Sequence, residues 1–372
     1  MTPVYLDYQA TTPLAPEAFE AMVPLLRDQY GNPHSAHRVG RQAAAVVEVA
    51  RGDVLATLDR DGGRLVFTSG ATEALNIAIF GAARLAPSSR RRIVTIATEH
   101  AAVRDTVLAV QDQGFDPVML PVSPDGIVDL DVARAAIGAD TALVAAMLVN
   151  NEIGVIQPVD ALAAIARQAG ALFLCDAVQG FGRAPLPEHA DMIAISAHKV
   201  HGPKGVGALW LREGLDLPPL IHGGGQEGGL RSGTLSPALC AGFGAAARQM
   251  RERSEADAAH VGALWGIART LFADWTINGS VSERYHGNLN LRRDGLDAAR
   301  LMSDCRIVSF SLGSACASGS GRPSHVLQAL GLSEKQARTS VRIGFGRYTT
   351  LEEMERAGKA INEAAGQQDL PL

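Results

Sequence analysis

The sequence predicts an α/β protein with a mostly parallel central sheet, followed by a smaller α+β domain at the C-terminal end. Short apolar runs alternate with longer Ala-rich helical stretches between residues 64 and 212. The apolar runs are continuous, which is typical of strands buried on both faces of a sheet. Glycine is frequent, at 39 residues, while aromatic residues make up only 5%. This composition favours tight turns and close backbone approaches over an aromatic-rich binding module.

The strands and helices are predicted in a regular order along the chain. Strands are expected within residues 64–70, 91–100, 139–154, 171–180, 191–199 and 204–212. Helical spacing covers residues 71–86, with the helix beginning near Glu73, and then residues 101–114 and 159–170. A long helical segment over about residues 235–273 leads to a second lobe, where YHGNLNLRR, RIVSFSLGSAC and SVRIGFGRYT are typical of strands.

Length and charge define the broad class of protein. A chain of 372 residues suits a large domain, placed at 15–255, and a small domain formed by 1–14 and 256–372. The net charge is -5 and no basic stripe stands out, so nucleic acid is not an expected partner. We find no secretory signal and no apolar run of roughly 18 residues, so we expect a cytoplasmic protein without membrane contact. The cysteines lack metal-ligand spacing, so no metal is expected.

The segment TSGATEALN forms a small, hydroxyl-rich turn between a strand and a helix. Such a turn offers free backbone N–H groups, the hydroxyl of Thr72 and the positive end of a helix dipole to an anion such as phosphate. The alternative is an ordinary helix N-terminus with Ser69 or Thr72 as its cap.

Other polar side chains follow directly after predicted strands, where ligands bind in parallel sheets. Asp176 either caps a turn or faces a cation such as a protonated pyridine nitrogen, and His100 is either structural or catalytic. Asn151 and Gln179 are placed to hydrogen-bond a polar ring substituent. Arg342 either clamps a carboxylate in a bidentate fork or pairs with a surface acid.

The segment SAHKVHGPKGVG is the densest chemical pattern in the chain. Ser196 and His198 lie on one side of a predicted extended segment, and Lys199 follows them. A lysine among Ser, His and several Gly suits either a charge on a phosphate or an amine that forms a Schiff base. Lys204 fits the same two roles, and spacing does not choose between the two lysines.

Cys316 lies in GSACASGSG, a run of small residues that predicts an exposed loop. Its thiolate would be strongly nucleophilic there. Cys175, Cys240 and Cys305 lie in apolar patterns instead, and they are predicted to be buried and inert.

These motifs, together with YLDYQATTP, GNPHSAHRVG, VNNEIGVIQP, RSGT and GSACASGSGRPSHVLQALG, occur in the order seen in cysteine desulfurases. Those enzymes belong to the class V aminotransferase superfamily of fold type I enzymes that depend on pyridoxal phosphate (PLP). The chain is similar to the NifS/IscS-like group, whose cysteine lies in a longer loop bearing S-x-C-x-S. The resemblance runs from about residue 4 to about residue 350.

The resemblance implies a role for each candidate residue. Lys199 would carry PLP as a Schiff base, and Cys316 would take the sulfur of L-cysteine as a persulfide while L-alanine leaves. The other implied cofactor contacts are Asp176 at the pyridine nitrogen, His100 stacked on the ring and assisting proton transfer, Asn151 and Gln179 at the phenolic oxygen, and Ala71, Thr72, Ser196 and His198 at the phosphate. Arg342 would bind the substrate carboxylate with Asn32 nearby. Thr234 would reach the phosphate of a neighbouring subunit, which implies a homodimer with shared sites.

The resemblance also implies a sulfur-acceptor protein, such as an iron–sulfur scaffold. Two features depart from the family pattern. Gly321 and Arg322 stand where the family often has Leu-Glu, and the chain stops soon after the last predicted helix, where the IscS-like group has a longer scaffold-docking tail. Three other functions are weighed against the desulfurase: an aminotransferase, which would not need Cys316, a selenocysteine lyase, and a non-catalytic scaffold, which would not need Lys199 and Asp176.

Overall fold

The structure, a computed structural model, describes residues 3–60, 62–313 and 324–368. The strands in chain order are β1 (Val4–Tyr5), β2 (Arg64–Thr68), β3 (Arg92–Ile96), β4 (Asp116–Leu120), β5 (Thr141–Met147), β6 (Leu172–Asp176), β7 (Met192–Ser196), β8 (Gly207–Leu211), β9 (Thr276–Ile277), β10 (Asn288–Arg292), β11 (Val308–Ser309), β12 (Ser311–Leu312) and β13 (Ser340–Gly344). The α-helices are α1 (Pro16–Arg27), α2 (Arg38–Leu58), α3 (Ala71–Leu85), α4 (Ala101–Ala109), α5 (Leu130–Ala136), α6 (Val159–Gln168), α7 (Pro237–Glu252), α8 (Ser254–Leu271), α9 (Ala298–Asp304), α10 (His325–Ala329), α11 (Glu334–Arg338) and α12 (Leu351–Gln367).

A seven-stranded sheet forms the centre of the molecule, in the order β2-β8-β7-β6-β5-β3-β4. Only β8 runs antiparallel to its neighbours in this sheet, so the predicted mostly parallel α/β fold is confirmed. Two apolar clusters cover its two faces. All other strands of the sheet therefore end at one edge, which is where ligands bind in such folds.

The strand β4 was not expected from the sequence. Its segment DPVML contains Pro117, which lacks the N–H that a central strand needs. In the structure β4 pairs only with β3 and occupies the edge of the sheet. Proline is tolerated on an edge strand, because one side of the strand needs no ladder partner.

Two local expectations near the strand ends were wrong. The helix α3 begins at Ala71 and not near Glu73, with Gly70 as its N-cap. The residues after β7 are not extended, because Ala197–Lys199 forms a 3-10 turn.

The C-terminal part of the chain forms a smaller antiparallel sheet in the order β12-β13-β10-β9. A third apolar core joins this sheet to α8, α9, α12 and the N-terminal residues Val4 and Leu6. The predicted long helical segment is two helices, α7 and α8, which meet at Arg253. The grouping of N-terminal and C-terminal residues in one core supports two domains at 15–255 and at 1–14 with 256–372, and these boundaries stay a proposal.

Neither a membrane-spanning element nor a metal cluster is found in the described ranges. None of the helices there combines the length and the apolar character that a membrane crossing needs. No group of three or more His, Cys, Asp or Glu side chains in this part of the chain is arranged to hold a metal ion.

Candidate active site

A cavity of about 470 Å³ lies at the edge where the parallel strands end. It brings together side chains that are distant in sequence but follow neighbouring strands. The predicted site residues that line it are Ala71, Thr72, His100, Asn151, Asp176, Gln179, Ser196, His198, Lys199 and Arg342. For all of these residues except Arg342, the grouping follows from the order of the central sheet, since its parallel strands end at the same edge.

The 3-10 turn after β7 brings Lys199 into the cavity. Its Nζ donates to the backbone oxygens of Gln9, at 2.5 Å, and of Ala10, at 2.8 Å. The amine therefore lies between the sheet and the N-terminal segment. Lys204 also lines the cavity but is exposed. This difference in burial favours Lys199 over Lys204 as the lysine that acts inside the cavity.

Asp176 is the last residue of β6 and is almost fully buried. Burial raises the pKa of its carboxyl, while the N–H of Val178, His100 and Lys199 act in the opposite direction. Val178 N donates to Asp176 Oδ1 at 3.0 Å. A cation in the cavity would offset the desolvation of this carboxylate and favour its ionised form.

His100 occupies the N-cap position of α4, where its Nδ1 accepts from Ala102 N at 3.1 Å. Burial lowers the pKa of His100, and the nearby Lys199 lowers it further, while Asp176 opposes this shift. The ring is therefore neutral near pH 7. Because Nδ1 is an acceptor, the proton of the neutral ring is on Nε2. His100 therefore has a structural role as the N-cap of α4, and it also lines the cavity.

The turn after β2 exposes the N-terminus of α3 to the cavity. Ser69, Gly70, Ala71 and Thr72 line the cavity, and the N-cap Gly70 provides no side-chain hydrogen bond to the first turn. The first N–H groups of this 15-residue helix are therefore available to an anion, together with the helix dipole. Neither Ser69 nor Thr72 is the N-cap of this helix.

His198 completes the polar wall on the other side of this turn. Its Nδ1 lies 3.2 Å from Thr11 Oγ1. Burial, together with the charges of Lys199 and Lys204, lowers the pKa of His198 to about 4. A neutral imidazole can still donate one N–H to an anion. His198 and Ser196 would thus offer hydrogen bonds to an anion, while Lys199 and Lys204 provide the positive charge at the cavity.

Gly207 sets how closely the two strand ends approach each other. It pairs with Thr68 on one side and with Ser196 on the other. A Cβ at this position would lie 2.7 Å from the carbonyl carbon of Gly70 and 2.7 Å from the oxygen of Ile195. These contacts are too short for any Cβ, so glycine is required under the turn.

We therefore expect Gly207→Ala to displace the turn at Gly70 and to weaken retention of a phosphate-bearing cofactor. If the protein holds PLP, as the sequence resemblance implies, the PLP content of the purified variant, measured after release in alkali, should fall severalfold below that of the parent protein. Gly52→Ala is the matched control, because a Cβ on Gly52 meets no atom within 4 Å. Equal PLP content in both variants would contradict this role of Gly207.

Arg342 lies on β13 and reaches the cavity from the smaller sheet. Its Nη1 donates to the backbone oxygen of Asn151 at 3.0 Å, and its Nη2 donates to Asp7 Oδ1 at 2.7 Å. The arginine is thus held by the strand-end loop that carries Asn151 and by the N-terminal segment. Of the two sequence alternatives, the pairing with an acid is present, because Asp7 is the partner, but Arg342 itself is not on the surface, since its side chain is 1% exposed.

Three predicted residues are not in this group. Asn32 and Thr234 are exposed and do not line the cavity. The Asn32 side chain instead accepts from the backbone of His34 at 2.9 Å. Cys316 lies outside the described residues.

Sequence reasoning missed several residues around the cavity. Gln9 and Ala10 line it, and Gln179 Nε2 donates to the oxygen of Gln9 at 3.0 Å. Both residues belong to the motif YLDYQATTP, but this motif does not follow a predicted strand of the sheet, so the sequence does not place it near the site. Glu152, which does not line the cavity but interacts with the cavity residue Arg342, was also missed. It is buried, and burial raises its pKa to about 7 while Ser324 and Arg342 act in the opposite direction.

Comparison with known proteins identifies the family. The family described as aminotransferase class-V matches residues 4–357. The chain belongs to this family. A curated relative, "Cysteine desulfurase IscS" from Rickettsia bellii, is 42% identical over 96% of this chain and 90% of its own length.

Solved structures are also similar to this chain over most of its length. One described as "NIFS-LIKE PROTEIN" has a TM-score of 0.92 and 32% identity, covering 98% of this chain and all of its own. Another, "SspA in complex with cysteine", has a TM-score of 0.84 and 32% identity over 93% of this chain and 100% of its own. Within the family, the chain is a NifS/IscS-like cysteine desulfurase, as the sequence predicted.

Proposed function

We propose that the chain is a PLP-dependent enzyme that converts L-cysteine to L-alanine and leaves the sulfur on Cys316 as a persulfide. The observation that carries this proposal is the convergence of Lys199, Asp176 and the open N-terminus of α3 on one cavity. An amine, a buried carboxylate and an anion site are the three anchors that PLP needs. The curated relatives named as cysteine desulfurases support the choice of substrate.

The cavity fits the cofactor chemically. It is rich in hydrogen-bond donors at the α3 turn and holds a buried carboxylate at Asp176. The buried Gln179 Oε1 has no hydrogen-bond partner among the described residues. This oxygen can therefore accept a hydrogen bond from a protonated substituent on the cofactor ring. PLP, when bound, supplies an electron-withdrawing ring that stabilises negative charge at the substrate Cα.

The side chains that line the cavity would then divide the work as follows. Lys199 would hold the cofactor through Nζ and move the proton at the substrate Cα. Asp176 would keep a proton on the ring nitrogen, because an adjacent carboxylate favours the charged ring. His100, neutral with its proton on Nε2, would pack on the ring and assist proton transfer. Ala71, Thr72, Ser196 and His198 would bind the phosphate, and Asn151 and Gln179 would face the phenolic oxygen.

The sulfur step belongs to Cys316. Its thiolate attacks the sulfur of the substrate, so that an S–S bond forms while the substrate C–S bond breaks. The electron pair of the broken bond stays on the carbon, which takes up a proton and leaves as L-alanine. One L-cysteine and one thiol thus give one L-alanine and one persulfide, with no external oxidant. Arg342, with Asn32, would hold the substrate carboxylate.

The partners are part of the proposal. Thr234 is exposed and lies away from the cavity of its own chain, which supports a contact with the cofactor of a second subunit in a homodimer. The persulfide would pass to an acceptor protein, such as an iron–sulfur scaffold. A cytoplasmic location fits the free thiols of Cys175, Cys240 and Cys305.

The persulfide on Cys316 can be tested directly. After addition of L-cysteine, peptide mass spectrometry should find one added sulfur atom on Cys316 and none on Cys240 or Cys305, which are buried. Cys316→Ser should lose nearly all alanine formation, because the serine hydroxyl does not accept sulfur. Cys305→Ser is the control. Unchanged alanine and sulfide production by Cys316→Ser would contradict the proposal, as would alanine formation that needs a keto acid.

A further inference from the structure

Arg342, which is proposed to bind the substrate carboxylate, already forms an ion pair with Asp7. Arg342 Nη2 lies 2.7 Å from Asp7 Oδ1, and the two side chains are 1% and 19% exposed. The same nitrogen lies 3.4 Å from Ser311 Oγ, and the buried Nε has no hydrogen-bond partner among the described residues. The arginine that faces the cavity is therefore already paired with one carboxylate.

Asp7 is held firmly in this position by its backbone. It forms a parallel bridge to Gly344, two residues after Arg342, and Gly344 N donates to the oxygen of Leu6 at 2.8 Å. Tyr5 Oη donates to the backbone oxygen of Asp7 at 3.2 Å. Because the backbone is fixed next to β13, the carboxylate remains beside the guanidinium when another anion arrives.

Glu152 is a second carboxyl group that interacts electrostatically with Arg342. Burial raises the pKa of Glu152 to about 7, and its carboxyl accepts from the hydroxyl of Ser324. A large fraction of this group is therefore protonated near neutral pH, and it gives Arg342 only partial compensation. Asp7 is thus the principal counter-charge of the buried guanidinium.

We propose that Asp7 acts as an internal competitor for the substrate carboxylate, neutralising Arg342 in the free enzyme and setting a weak affinity for amino acids. The inference rests on the proposed function, in which Arg342 binds the carboxylate of L-cysteine. A buried guanidinium without an anion would be costly, so Asp7 stabilises the free site. A second carboxylate must then share the same guanidinium, and repulsion between the two anions weakens its binding.

Asp7→Asn tests this competition, because asparagine has nearly the same shape and can still accept from Arg342 Nη2. We expect the KM for L-cysteine to fall by about tenfold, a typical effect of removing one partly screened like charge. The KM for cysteamine, which has no carboxylate, should not fall. Titration of the holoenzyme with L-alanine, followed by its visible spectrum, should show a similar gain in affinity. A purely structural role of Asp7 would raise KM for both amines.

Asp294→Asn is the matched control. Asp294 Oδ1 lies 2.9 Å from Arg292 Nη1, but the aspartate is 75% exposed and does not line the cavity. Its kinetics should equal those of the parent enzyme.

A KM for L-cysteine that is unchanged or higher in folded Asp7→Asn would overturn the proposal. If Asp7→Asn does not fold, Asp7→Ser removes the same charge with a smaller side chain and should shift KM in the same direction. Failure of the parent enzyme to form alanine from L-cysteine would contradict the proposed function instead. The L-alanine titration would still report on Asp7, since it measures binding of a carboxylate and not turnover.

Discussion

Lys199→Ala is expected to give a colourless protein that no longer forms alanine from L-cysteine. The substitution removes the amine that would hold PLP covalently and the group that would move the Cα proton. General acid–base catalysis alone is worth about 10²–10⁴ in rate, and covalent retention of the cofactor is lost as well. We therefore expect the rate to fall by at least about 10³-fold. Visible absorbance and an alanine assay measure the two effects separately.

Lys204→Ala is the control for this experiment. Lys204 is exposed at the cavity, whereas Lys199 Nζ lies 2.5 Å from the oxygen of Gln9. The Lys204 variant should keep its visible absorbance. The opposite pattern, a coloured Lys199→Ala and a colourless Lys204→Ala, would mean that the two lysines have been assigned in the wrong order. Reduction of the parent protein with borohydride, followed by peptide mapping, would locate the modified lysine independently.

Much of this site was predictable because strand ends are visible in the sequence. Asp176, His100 and Asn151 each come at or shortly after the end of a predicted strand, and parallel strands bring such residues to one edge. The cavity confirms this grouping. Spacing alone left Lys199 and Lys204 equivalent, because it carries no information about which lysine turns inward.

What the sequence did not reveal depends on contacts between distant segments. Asp7 and Arg342 are separated by 335 positions, so no local pattern connects them. In the sequence, Gly207 is one of several glycines in its segment. Its importance follows only from the structure, in which a Cβ on Gly207 would lie 2.7 Å from the carbonyl carbon of Gly70. The strand β4 was not predicted because it contains Pro117, which is compatible only with an edge strand. That β4 lies at the edge depends on the order of the whole sheet, which no local pattern reveals.

Asp176→Asn is expected to separate catalysis from stability. A carboxylate about 4 Å from a ring nitrogen favours the protonated ring by ~4 kcal/mol at an effective dielectric near 20, which is about three pKa units. Asparagine lacks this charge, so the ring would lose its proton and its capacity to withdraw electrons. We expect kcat to fall by about 10³-fold, and the visible spectrum of the bound cofactor to change with pH.

The same substitution should not destabilise the protein when no cofactor is bound. Burial raises the pKa of Asp176 in the folded state, so its ionisation above that pKa opposes folding, and this cost is absent below its unfolded-state pKa. Asparagine removes the cost and can still accept from Val178 N, now 3.0 Å from Asp176 Oδ1. The apo variant should therefore melt at the same or a higher temperature at pH 7. A large loss of melting temperature together with the loss of activity would show instead that Asp176 stabilises the fold. A carboxylate whose role is to bind the cofactor is expected to destabilise the folded protein when no cofactor is bound.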